Sequence, residues 1–313
     1  MSTPGPIGCT VDDLIVGMQV LLRPEPQTID PFHPPVPFDS QMMEEVQSEA
    51  SRKQIKIGII QESPFLPVSA AVKRAVHTAE TALKELGYRV EPFLFEEDVW
   101  RMQRDIFYQI YSNKVVSPVV DSLKANSEDL SEGLSVFDEQ LNPQSTFLAW
   151  LASLFRRSGD REKKVKERMG RLSSQEMARV LKLRADFAYQ LAQKWKKSGL
   201  SALISPMWPH CAYRSANSKE LFLGNEYATL WSVIGFPAGV VPVTSVLLEE
   251  ESFFDHFGDR WTEKLNEDAK GSMDMPVGVQ VIGHAFEDEK VLGIMKQLSA
   301  QVGYKVPMPP VIQ

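Results

Sequence analysis

The run from Ile55 to Phe93 constrains this chain most. Ile55-Lys-Ile-Gly-Ile-Ile60 is a short apolar run and reads as a buried strand. Residues 68–86 space their apolar side chains as a helix does, and Gly87 stands where a left-handed terminating residue belongs. Tyr88-Arg-Val-Glu-Pro-Phe93 reads as a second strand. Strand, helix and strand in so short a stretch form a βαβ unit, so the sheet is expected to be at least partly parallel.

The rest of the chain alternates in the same way. Apolar residues at 11, 14, 15, 18, 21 and 22 predict a helix with Thr10 as its cap. Residues 23–54 are Pro-rich at their start and read as an extended connector. Residues 99–124 read as helix and 126–145 as a polar loop. A long amphipathic helix is expected over 174–197, capped by Ser173 or Ser174 and ended by Gly199. Strands are expected at 200–205, 239–246 and 276–282, with helices at 225–234 and 287–302. The fold class is therefore α/β, a mixed twisted sheet surrounded by helices, and one domain accommodates all 313 residues.

Composition narrows the function. A formal charge of −7 opposes nucleic-acid binding, because phosphate contacts need a basic surface. Cys9 and Cys211 are the two cysteines, far apart and without ligand-spaced partners, so neither a disulfide framework nor a zinc site is indicated. Their number suits a reducing compartment. No run of about 18 apolar residues predicts a transmembrane helix. The opening Met-Ser-Thr-Pro-Gly-Pro lacks the basic and apolar regions of a signal peptide. It reads as a turn, and a domain that opens in mid-turn points to a part upstream.

Four segments, in order, resemble the amidase signature family. Gly5-Pro-Ile-Gly-Cys-Thr-Val-Asp-Asp-Leu14 is similar to its Gly-Pro turn and following helix. Ile55 to Pro92 is similar to its strand, helix and strand, and Leu203-Ile-Ser-Pro-Met207 to a strand end. Gly235-Phe-Pro-Ala-Gly-Val-Val-Pro-Val-Thr244, with Gly278-Val-Gln-Val-Ile-Gly283, is similar to its paired glycine-rich strands. The subfamily resembled is that of the fatty acid amide hydrolases, and the part resembled is the C-terminal half. The resemblance implies hydrolysis of a lipid amide by a Ser–cis-Ser–Lys triad, without cofactor or metal. A serine attacks the carbonyl, a base within hydrogen-bond reach takes its proton, and backbone amides hold the oxyanion.

In that family the nucleophile lies upstream of the turn that begins here at Gly5. No substitute is evident downstream. There is no Gly-x-Ser-x-Gly, and Ser173-Ser174 reads as a helix cap. Gly271-Ser272 sits in a polar loop, and His33, His77, His210, His256 and His284 lack metal-ligand spacing. His210 and His284 flank family strands, where structural roles outweigh catalytic ones. No catalytic residue is assigned, and the chain alone is expected to be inactive.

Two segments are expected to bind. The resemblance places Phe236, Val240, Val241 and Thr244 beside a substrate acyl chain; core filling is the alternative. Residues 147–171 resemble in character a membrane-contacting cap. Leu148, Trp150, Leu151, Leu154 and Phe155 offer an apolar face, and residues 156–171 follow with eight basic against three acidic side chains. A buried helix with a solvated charged tail is the other reading. Expected partners are thus a lipid amide, a membrane surface, and either a second copy or an N-terminal half, with no nucleic acid. The expected location is the cytoplasmic side, peripheral on an intracellular membrane. Three readings stay open: a partial amidase, a non-catalytic lipid-binding or regulatory module, and a half-enzyme completed by another chain. Cutting a continuous sheet exposes strand edges and core, which favours the first.

Overall fold

The computed structural model describes residues 5–23, 36–48, 52–141 and 160–307. Helix α1 (Val11–Leu21) begins at Thr10, whose hydroxyl accepts from Asp13 N while the Asp13 carboxylate accepts from Thr10 N. That reciprocal pair satisfies two backbone donors that the first turn cannot. Helix α2 (Ser40–Glu45), capped by Asp39, lies inside the 23–54 segment expected to be extended. It forms because Met43 and Val46 find a buried apolar surface.

Strand β1 (Lys56–Ile59), helix α3 (Ala70–Glu85) and strand β2 (Arg89–Pro92) make the expected βαβ unit, with β1 and β2 parallel. Gly87 ends α3 at φ +93°, a region that a Cβ disfavours. Helix α4 (Glu97–Ile110), a π-helical turn over Tyr111–Val116 and helix α5 (Ser117–Ala125) follow without a break.

Helix α6 (Glu132–Leu141) corrects the loop expected over 126–145. Leu134, Phe137 and Leu141 recur at helical spacing, and Phe137 and Leu141 are buried, so packing overrides the polar composition. Helix α7 (Arg161–Lys166) precedes helix α8 (Ser174–Ser198). Ser173 caps α8 in a reciprocal pair with Glu176, and Gly199 closes it at φ +71°.

Strand β3 (Ala202–Pro206), helix α9 (Ser218–Leu221), helix α10 (Glu226–Ile234) and strand β4 (Ala238–Ser245) come next. Helix α11 (Arg260–Ala269), strand β5 (Pro276–Gly283) and helix α12 (Asp288–Val302) complete the chain. The sheet runs β2-β1-β3-β5-β4. β1 is parallel to β2 and β3, whereas β5 is antiparallel to β3 and β4. The sheet is mixed, as expected.

Helices α3 and α12 pack on one face of this sheet. Gln280 of β5 points to the other face, where its Nε2 donates to Tyr227 O of α10. No described helix is long and apolar enough to cross a membrane.

Candidate functional site

The structure places the four expected binding residues on or next to β4 but does not bring them together. Successive strand residues point to opposite faces. Val241 is buried against the α3/α12 face, while Val240 points the other way and is 41% exposed. A bulge between Pro242 and Thr244 then resets the alternation. Thr244 consequently returns to the α3 side, where Arg74 Nη1 donates to its hydroxyl at 2.5 Å. The same guanidinium pairs with Glu250 at 2.7 Å, and its donation holds the Glu250 carboxyl below the ordinary range.

Phe236 follows Gly235, which ends α10 at φ +75°. Its ring packs 5.4 Å from Trp195 and 6.2 Å from His284. His284 stacks at 4.3 Å on Trp195 and reaches Leu200 O at 3.0 Å, so this histidine is a structural member of an aromatic cluster.

His210 is buried between two serines, with Nδ1 2.9 Å from Ser69 Oγ and Nε2 3.2 Å from Ser272 Oγ. Ser69 also caps α3. Burial lowers the His210 pKa, keeping the ring neutral, and pushes the Cys211 thiol up to about 11. The arrangement superficially resembles a serine–histidine pair. Both serines are buried, so it ties loops together and offers no exposed nucleophile.

A cavity of about 270 Å³ lies between the π-helical turn, α4, α6 and α10. Phe107, Tyr108, Tyr111, Val115, Phe137 and Phe222 make most of its wall, with Asn225, Thr229 and Ser232 at its polar part. Its size falls just below the range of ligand pockets, about 300–1,000 Å³, and its lining is mostly apolar with a few polar groups. Tyr111 stacks on Phe107 at 5.1 Å, and the π-helical turn widens the helix at that point. Burial raises the pKa of Tyr108, so the phenol stays neutral. Thr229 donates to Gln103 Oε1 at 3.2 Å, and the buried Gln103 Nε2 has no acceptor among the described residues. None of Phe236, Val240, Val241 or Thr244 lines this cavity.

Two charged networks hold the loop after β1 beneath these elements. Ser63 Oγ donates to Glu226 Oε1, and Arg104 Nη1 pairs with Glu226 Oε2. Burial raises the Glu226 pKa, while Arg104 favours its ionised form. Arg104 stacks over Phe65 at 3.5 Å. Arg161 Nη1 donates to Phe65 O at 3.0 Å, and Arg161 Nη2 lies 2.8 Å from both Asp255 Oδ2 and Asp259 Oδ1.

Arg161 corrects a sequence expectation, because it belongs to the basic run read as facing a membrane or solvent. It is fully buried, and Val165 and Met169 turn inward with it. Leu148, Trp150, Leu151, Leu154 and Phe155 lie outside the described residues. Among the described residues no cluster of three His, Cys, Asp or Glu side chains could hold a metal ion.

Sequence reading missed the cavity and both networks. The Phe107-Tyr108…Tyr111 spacing signals one aromatic helix face, and Phe137 amid polar neighbours signals another. Nothing local marks Arg161 as the buried member of its run.

Comparison with known proteins agrees with this architecture. The chain is 25% identical over 315 aligned positions to fatty-acid amide hydrolase 1 of Sus scrofa, covering 94% of this chain and 50% of that one. It is 25% identical over 285 positions to fatty acid amide hydrolase 1 of Caenorhabditis elegans, covering 87% and 46%. A solved fatty acid amide hydrolase superposes with a TM-score of 0.75 at 16% identity, covering 97% of this chain and 48% of the other, which shows a shared fold. The chain thus spans about half the length of these relatives. The Amidase family model matches residues 1–292, and the chain belongs to that family.

Proposed function

We propose that this chain is the substrate-holding half of an amidase acting on fatty acid amides, and that it does not hydrolyse them alone. The aromatic cavity beside the π-helical turn carries the reading. It offers an apolar wall for an acyl chain, and Asn225, Thr229 and Ser232 offer hydrogen bonds to an amide group. The names of the pig and nematode relatives support the substrate class. Support for inactivity comes from His210, which is held between two buried serines and so activates no exposed nucleophile.

The test is to purify the chain and measure binding and hydrolysis of a long-chain fatty acid amide. Saturable binding without turnover is expected. Turnover that a fluorophosphonate serine label abolishes would overturn the inactivity, and no binding would overturn the substrate class.

Contact with a membrane surface belongs to the same reading. Its support is the apolar block Leu148, Trp150, Leu151, Leu154 and Phe155 followed by basic residues, of which Lys164 and Arg168 are exposed. Co-sedimentation with anionic liposomes should fall on Trp150→Glu with Leu154→Glu. Unchanged sedimentation refutes the contact.

A further inference from the structure

Five aromatic rings of the cavity close on one another. Phe107 and Tyr111 stand about one helical turn apart, and their rings stack at 5.1 Å. Tyr111 meets Phe137 of α6 at 5.5 Å. Phe137 meets Phe222, in the 3-10 turn Phe222–Asn225 that leads into α10, at 6.2 Å. Phe222 meets Tyr108 at 6.0 Å, and Tyr108 returns to Phe107 at 5.1 Å. Each ring therefore packs on two others, and the five make a closed collar. All five line the cavity of about 270 Å³, so the collar bounds open space and is not a filled aromatic core. Rings at these spacings attract one another beyond the area they bury, so the collar resists widening.

The collar sets a width. Links of 5.1 to 6.2 Å, closed into a ring of five, leave a half-width of at most about 5 Å from the middle to the ring centroids, while carbon atoms pack at about 3.5–4.0 Å. One unbranched methylene chain fits that opening, and two carbons abreast do not. The cavity also sets a length. A methylene fills about as much space as a water molecule, about 30 Å³, so about 270 Å³ takes about nine carbons. No charged side chain lines this space. Glu226, next to the lining residue Asn225 in the chain, is held by Arg104. The ligand that fits is therefore neutral along its length.

We propose that the aromatic collar is a chain filter: it admits a single unbranched, neutral alkyl chain, and the cavity behind it holds about nine carbons of that chain. Carbons beyond that number stay outside and add little. Phe137 and Phe222 are the specificity-determining side chains, because they close the collar across from α4 and its π-helical turn. The inference rests on the fatty-amide reading of this cavity and adds which acyl chains it accepts.

The test measures binding of straight-chain primary amides, from butanamide to octadecanamide, to the purified chain by displacement of a fluorescent alkyl probe. Affinity should rise about fourfold per added methylene up to about nine carbons and then level off. The isomer of octanamide that ends in a tert-butyl group should bind at least about tenfold more weakly than octanamide. Phe137→Ala should bring that isomer to within about threefold of octanamide and carry the rise to longer chains. Where Phe137→Ala fails to melt cooperatively, Phe222→Leu, which keeps most of the buried volume, takes its place. An affinity that keeps rising to octadecanamide overturns the filter. So does equal binding of the tert-butyl isomer, or unchanged selectivity in a folded variant.

The matching straight-chain alcohols are run alongside. A rise and plateau with the alcohols, but no binding of any amide, keeps the filter and overturns the amide reading. Amides that bind without a plateau or branch selection overturn the filter and leave that reading standing. No binding of either series overturns both.

Discussion

The Arg161 guanidinium lies 2.8 Å from Asp259 Oδ1 with both side chains almost wholly out of water, and it joins α7 to the start of α11. Its other contacts are Asp255, Thr262 and the carbonyl of Phe65, with the rings of Phe257 and Trp261 at 4.2 and 4.8 Å. Arg161→Met leaves two buried carboxylates without their cation. A loss of about 3–5 kcal/mol in urea unfolding is expected, as for other broken buried pairs. A loss under about 1 kcal/mol would place the network outside the folded core's energetics.

The same pair gives a pH dependence. Burial opposes ionisation of Asp259, but donation from Arg161 and Thr262 N outweighs it and holds the carboxyl well below its ordinary value. The unfolded chain takes up this proton first, near pH 3.9. The stabilisation is fully present above that pH and is lost as pH falls toward the lower folded value. Urea midpoints measured between pH 6 and pH 3 should decline, and Asp259→Asn should flatten the decline at a lower starting stability. An unchanged slope in the variant refutes the assignment.

Gly293 of α12 separates two opposing effects. A Cβ there would sit 2.3 Å from Val46 Cγ2 and 2.7 Å from the Met43 carbonyl oxygen. Alanine favours a helix by up to about 1 kcal/mol over glycine, but overpacking against a backbone carbonyl costs about 1–3 kcal/mol. Gly293→Ala should therefore destabilise overall and raise proteolysis within Ser40–Glu45, read by thermal melt and limited digestion. A raised melting temperature would show that α2 yields freely.

Val115→Phe is expected to fill the cavity from its π-helical wall. Binding of a fatty acid amide should weaken by tenfold or more, about 1.4 kcal/mol, while stability holds or rises. Unchanged affinity in a stably folded variant would move the acyl site elsewhere.

Ser173→Ala tests the cap of α8. The hydroxyl accepts from Glu176 N and donates to its carboxylate at 2.6 Å. A loss of about 1 kcal/mol by urea unfolding is expected. No loss would mean that Ser174 takes over the cap.

What could be read in the sequence had a local cause. Thr10, Ser173, Gly87 and Gly199 announce helix ends because a cap acts within one turn. The strand read over 200–205 and stopped at Pro206 is β3, which ends with that proline, because a proline removes a ladder donor. α6 was not legible because its composition is polar and its order comes from Phe137 packing on Tyr111 and Phe222 across the chain. The cavity is likewise non-local, since Phe107, Phe137 and Phe222 meet only after folding. The binding residues read from 235–244 shared a motif but not a face, because strand alternation and a bulge separate Val240 from Val241 and Thr244. Arg161 escaped notice because its partners, Asp255 and Asp259, lie in a distant acidic segment.

The unequal finish of the two sheet edges sets an upper limit on stoichiometry. Among the described residues the sheet is closed at β2 by charge and brevity, and its other edge is free of a partner strand along Ala238–Val241, before Pro242 and the bulge. Two copies paired through that edge consume it on both, so such a contact closes at two and does not propagate.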